Sequence, residues 1–126
     1  MEEWKDIVGY EGRYQVSNLG RVKSLKRKVG VKNRSTPEKI LKEHLQKEGY
    51  YTVVLYKNGE PRRLSVHRIV AEAFLYNPNN YPVVNHKDEN KGNNNVNNLE
   101  WCTVIYNMNY GTVGKRIAEK KRKRIG

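Results

Sequence analysis

Cysteine is almost absent: Cys102 is the single one in 126 residues, which excludes an internal disulfide framework and every zinc site built from Cys pairs. No structural zinc is expected, and any metal must be held by oxygen and imidazole. Long hydrophobic runs are missing too. No stretch approaches the roughly 20 apolar residues of a membrane span, and the opening Met1-Glu2-Glu3-Trp4-Lys5 lacks the basic-then-apolar plan of a signal peptide. No membrane partner is expected, and the cytoplasm is the expected location. Acidic side chains are scarce, 13 against 25 Lys plus Arg for a formal net charge of +12. The long-range field is therefore positive and polyanions are the natural partners, nucleic acid ahead of an anionic membrane surface.

The positive charge is not spread evenly. Between positions 21 and 34 the cations Arg21, Lys23, Lys26, Arg27, Lys28, Lys32 and Arg34 occur without an acidic residue among them. A second basic run, Lys120-Lys121-Arg122-Lys123-Arg124, closes the chain, with Lys115 and Arg116 just before it. Runs of one sign repel themselves unless a counter-charge is present, which makes them poor structural elements and good phosphate binders.

Period and turn chemistry give an order of elements. Tyr14–Ser17 and 21–25 alternate at period two around Asn18-Leu19-Gly20, a hairpin signal. Trp4, Ile7, Val8, Tyr10 and Tyr14 are expected to supply a small core there, and 26–37 reads as an exposed loop. A strand is expected over 40–45. A second hairpin turns at Asn58-Gly59, between 50–56 and 62–66. From Val66 the period changes: Val66, Ile69, Val70, Ala73 and Phe74 have the spacing of an amphipathic helix, ended by Asn77-Pro78. Val83–His86 then reads as a strand, Asn93 to Asn98 as turn chemistry, and Leu99–Cys102 as the return strand. Thr103 is placed to N-cap a short helix through about Asn109, before Gly111.

The window from Val83 to Asn107 carries the chemistry. Phosphodiester hydrolysis needs an activated water, a cation on the developing charge, and rigid placement of both. His86 offers an imidazole suited to a general base near neutrality, and Asn85, Asp88 and Asn107 offer oxygens to a hard ion such as magnesium. Spacing alone does not bring them together. Asn85 and His86 are neighbours and face opposite sides of a regular strand, and a lone strand histidine is more often a hydrogen-bonded structural residue.

Order adds what spacing lacks. Val66-His67-Arg68-Ile69-Val70-Ala71-Glu72-Ala73-Phe74, then Asn77-Pro78, Val84-Asn85-His86-Lys87-Asp88 and Asn97-Asn98-Leu99-Glu100-Trp101-Cys102-Thr103 resemble the HNH homing endonucleases of phages and group I introns. Trp4 through Leu25 resembles the small nuclease-associated DNA-binding module that commonly precedes that domain. The resemblance implies an α+β fold: an N-terminal antiparallel β module over 1–48, a nuclease domain over 49–110 with a ββα-metal core at 82–110, and a basic tail over 111–126.

It also implies roles. His86 falls where the family places the general base. Asn85 and Asn107 fall on metal-ligand positions, and Asn98 on the middle asparagine that braces the loop. His67 reads as a helix-start or core histidine, and His44 carries no signal. The implied cofactor is Mg2+ or Mn2+. The implied partner is double-stranded DNA, contacted by the cations between Arg21 and Arg34 and by the hairpin residues Arg62 and Arg63, with the protein a monomer that nicks one strand. Relatives often carry a helix-turn-helix segment after the nuclease domain, whereas this sequence stops at Gly126 in a basic tail; either that module is absent, which should lower sequence specificity, or the chain is short. An amide at Asn85 in place of the usual carboxylate implies weak metal affinity. It also supports an alternative, a DNA-binding module or regulator that keeps the scaffold without turnover. A basic RNA-binding protein fits the charge but leaves Asn85, His86 and Asn107 unexplained.

Overall fold

The structure is a computed structural model that describes residues 1–29 and 34–111. Among the described residues the fold is α+β, four small antiparallel sheets with two α-helices. Strands β1 (Trp4–Asp6), β2 (Tyr14–Ser17), β3 (Val22–Ser24) and β6 (Lys39–Ile40) form the first sheet in the order β1-β2-β3-β6. β4 (Arg27–Val29) and β5 (Arg34–Thr36) pair with each other. β7 (His44–Leu45), β8 (Tyr51–Lys57) and β9 (Glu60–Ser65) form a third sheet. α1 (Val66–Phe74) follows it, and then the ribbon of β10 (Val83–His86) and β11 (Leu99–Cys102) with α2 (Val104–Met108).

One hydrophobic cluster runs from Ile7, Tyr14, Val16 and Val22 through Val53, Leu55, Val66 and Val70 to Val84 and Leu99. α1 packs on β2, β8, β9, β10 and β11, so the helix joins the first sheet to the ribbon. Its buried residues Val66, Ile69, Val70 and Ala71 make the inward stripe. Sheet-to-sheet contact is fixed by polar groups as well: the Tyr56 amide of β8 donates to the Tyr14 hydroxyl at 3.0 Å.

Both expected hairpin turns are present. Asn58 and Gly59 have φ of 53° and 79°, the two positive values that a tight two-residue turn requires. In the first turn, buried Ser17 accepts from the Leu19 and Arg21 amides through its hydroxyl, and Gly20 has φ 92°.

Three expectations are corrected. The stretch 26–37 is not a bare loop, because β4 and β5 form a ladder within it; Arg27 stands opposite Thr36, Lys28 opposite Ser35 and Arg34 opposite Val29. No register pair of this ladder sets one basic residue opposite another. The single strand expected over 40–45 is two short ones, β6 on β3 and β7 on β8. Between them the Leu41 amide donates to Val22, and the partly buried Leu41 packs on the core, so the chain is pinned where it crosses between sheets. Val8 lies outside the core at 65% exposure. The Tyr10 amide closes a turn onto the Ile7 carbonyl and leaves Val8 at its corner.

Candidate active site

The ribbon of β10 and β11 carries the candidate residues, and its register decides their neighbours. Asn85 lies opposite Glu100, and His86 opposite Leu99. As the alternation of a strand requires, adjacent Asn85 and His86 go to different surroundings.

His86 is buried at 5% exposure. Its Nε2 lies 2.7 Å from Asn94 Oδ1. An amide oxygen only accepts, so Nε2 carries the proton and the lone pair of the neutral ring is on Nδ1. Its other neighbours are rings. His67, from the first turn of α1, lies 5.1 Å from the His86 ring and stacks on Tyr50 at 4.8 Å. Burial lowers the pKa of both imidazoles: His67 falls to about 4, helped by the nearby His86, Arg68 and Lys91. His86 is lowered less simply, since the Asn94 hydrogen bond and Asp88 oppose the burial. Burial favours the neutral form of both rings, the form a proton acceptor needs.

Asn94 is itself held from the first sheet. The Val96 amide donates to the Asn18 carbonyl at 2.8 Å. A Cβ on Gly20 would meet Asn94 Cβ and its carbonyl oxygen at 2.9 Å. The N-terminal hairpin turn thus docks on the loop that orients His86.

The loop between β10 and β11 is built by side-chain turns. Amides of Asn90, Gly92 and Asn97 are met by the side chains of Asp88, Asn90 and Asn95. Asn98 is its brace: Oδ1 accepts from the Asp88 amide, while Nδ2 donates to Asp88 Oδ1 and to the Asn93 carbonyl. Asp88 receives Asn90, Asn93 and Asn98 on its two oxygens, and the hydrogen bonds from Asn93 and Asn90 hold its carboxyl below the usual range. The loop thus occupies Asp88, offered by the sequence as an oxygen donor for an ion.

Asn85, 6% exposed, donates from Nδ2 to Glu100 Oε2 at 3.0 Å. Its Oδ1 accepts no hydrogen bond among the described residues. That orphaned amide oxygen is the observation that fits a hard cation. Asn107 sits on α2, whose Thr103 cap accepts from the Tyr106 amide and whose end is tied down by the Tyr110 hydroxyl donating to the Lys87 carbonyl. α2 packs on β10. Among the described residues the Asn107 side chain makes no hydrogen bond.

The basic residues divide. Arg21 is paired with Glu2 and lies over the Trp4 ring. Lys23 bonds Glu38 at 2.9 Å and lies over the same ring. Lys26, Arg62 and Arg63 are exposed, with Arg63 donating to Thr52. Arg27, Lys28 and Arg34 fall on the β4–β5 ladder. Lys32 and the tail 112–126 lie outside the described residues. No described helix is long and apolar enough to cross a membrane.

Sequence reasoning missed Asn94, Glu100 and Tyr50. Only the Asn94 signal was local, an amide eight residues from the histidine, and it was masked by the asparagine run around it.

The chain is similar to known proteins along most of its length. The model of the NUMOD4 motif matches residues 2–56. The chain is 44% identical over 106 residues to DNA endonuclease I-HmuI of Bacillus phage SP01, covering 84% of this chain and 55% of the relative. It is 33% identical over 101 residues to H-N-H endonuclease F-TflII of Escherichia phage T5, covering 79% and 47%. It therefore spans about half the length of these curated relatives. A solved structure of DNA binding and cleavage by the HNH homing endonuclease I-HmuI matches with a TM-score of 0.69 and 39% identity, over 95% of this chain and 68% of that one. On these grounds the chain belongs to the HNH homing endonucleases that carry a NUMOD4 motif.

Proposed function

We propose that the chain is a divalent-metal-dependent DNA endonuclease of homing type that nicks one strand of a duplex, acting as a monomer in the host cytoplasm. The observation that supports it most is the tautomer-fixed His86, whose Nε2 meets Asn94 Oδ1 at 2.7 Å; next to it in sequence, though directed to different surroundings, Asn85 keeps an amide oxygen without a hydrogen bond among the described residues. In this reading His86 Nδ1 takes the proton of the attacking water, and Asn94 keeps the ring in the tautomer that can do so. Asn98 keeps the loop in place through Asp88 and Asn93. Asn85 and Asn107 would hold the ion. A bound Mg2+ or Mn2+ supplies Lewis-acid stabilisation of the developing charge and of the leaving oxygen.

Residues 1–48 act as a DNA-binding module, 49–110 as the nuclease with its ββα core at 82–110, and 111–126 as a basic tail. The cations Lys26, Arg62 and Arg63 are exposed and meet phosphates; Arg27, Lys28, Lys32 and Arg34 join them on the ground of charge alone. Arg21 and Lys23 are already ion-paired with Glu2 and Glu38, which compete with phosphate for them.

Supercoiled plasmid incubated with protein and Mg2+ tests the reading. Open circles from wild type and none from His86→Ala are expected; equal products from both sink the mechanism. The amide at position 85 favours the second reading, a DNA-binding regulator. Titrating metal separates the two, since a pure binder shows the same DNA affinity with and without Mg2+ and never cuts.

A further inference from the structure

The amide at Asn85 leaves the site short of one negative charge, and a carboxylate lies across the ladder from it. Asn85 and Glu100 are register partners on β10 and β11, so their side chains stand on the same face of the ribbon. Asn85 Nδ2 donates to Glu100 Oε2 at 3.0 Å. A carboxylate is acceptor-only. Flipping the amide would set Oδ1 against Oε2, two acceptors in contact at a residue that is 6% exposed. The contact therefore fixes which end of the amide faces Glu100, and it leaves Oδ1 as the end without a partner. Only that oxygen can serve a hard cation.

Glu100 is also reachable. It lines an open groove of about 310 Å3 with Lys87 and Trp101, and its carboxylate acts on the Tyr106 phenol of α2, the residue before Asn107. We infer that Glu100 is a positioning residue for the divalent ion. It orients Asn85 Oδ1 as a ligand and supplies, from one layer behind, the negative charge that a carboxylate at position 85 would bring. This rests on the metal-dependent reading above. Carboxylates that hydrogen-bond a metal ligand typically change affinity by about 10–100-fold.

The pair should work in either order. Asn85→Asp with Glu100→Gln places the carboxylate on β10 and the amide on β11, the reverse of the natural arrangement. Glu100→Gln alone leaves two amides and no charge, while keeping the size of the side chain and an oxygen that can still accept from Asn85. Mn2+ uptake by the full chain, followed by the paramagnetic resonance of free Mn2+ and by the thermal shift that Mn2+ produces, reads the effect without cleavage. Unfolding without metal shows that each variant is folded.

We expect Glu100→Gln to weaken Mn2+ binding by about tenfold or more, and the double variant to return to near the wild-type affinity. Glu100→Gln that binds Mn2+ as wild type does, or a double variant no better than Glu100→Gln, overturns the assignment and leaves the nuclease reading standing. Wild type that takes up no Mn2+ overturns both.

Discussion

Replacing Asn94 by Leu separates the orientation of His86 from its presence. The substitution keeps the approximate volume of a side chain that is 5% exposed and removes the oxygen 2.7 Å from His86 Nε2. The ring is then buried with an N–H that has no acceptor, at a cost of about 1–3 kcal/mol. For a chain of this length that is a fall in Tm of roughly 4–12 °C. The cost to activity has a different origin. Without Asn94 nothing selects the tautomer whose Nδ1 is free, so much of the roughly 10²–10⁴-fold worth of a general base is lost. Differential scanning fluorimetry and single-turnover nicking measure the two effects. Asn94→Asp is the informative partner: a carboxylate still accepts from Nε2 but raises the His86 pKa, so the rising limb of the pH–rate profile moves to higher pH. An Asn94→Leu protein with wild-type Tm and wild-type nicking would refute the role given to this contact.

Other expectations follow from the same geometry. Gly20→Ala should destabilise by roughly 1–3 kcal/mol and slow nicking, because the added Cβ meets Asn94 at 2.9 Å at a φ of 92°; thermal melts that match wild type would contradict the docking of the hairpin turn. His67 has a folded pKa of about 4 against roughly 6.5 in an unfolded chain. The unfolded state therefore binds the proton first, and stability present above pH 6.5 is lost as pH falls towards 4, by about 3 kcal/mol in full. His67→Phe should flatten the fall in Tm over that window, and an unchanged acid profile would remove His67 as its cause. Arg62→Ala with Arg63→Ala should reduce the salt slope of DNA binding by about two; a slope equal to wild type would take both residues out of the interface.

Much of the frame was legible in the chain because its signals are local. Asn58-Gly59 and Asn18-Leu19-Gly20 announce turns by residue type, and the change of period at Val66 announces α1. The order strand, loop, strand, helix over 83–108 follows from the same kind of signal. The basic β4–β5 ladder was not legible, since nothing in Arg27–Val29 or Arg34–Thr36 alternates in hydrophobicity. The site was legible in outline only. His86, Asn85, Asn98 and Asn107 stand out by type and order, whereas Asn94, Glu100 and Tyr50 owe their places to register and to ring stacking between distant segments. Arg21 and Lys23 looked unopposed within their own run; their partners Glu2 and Glu38 lie outside it.

In the proposed mechanism His86 takes a proton from water in metal-assisted cleavage of DNA. Single-turnover cleavage of a duplex with mapped ends, at saturating protein and Mg2+, tests it when wild type and folded His86→Ala are compared. Wild type should nick one strand, chelating the metal should abolish that, and His86→Ala should be slower by about 10²–10⁴-fold. A rate within error of wild type in His86→Ala, or cleavage indifferent to chelation, would contradict it.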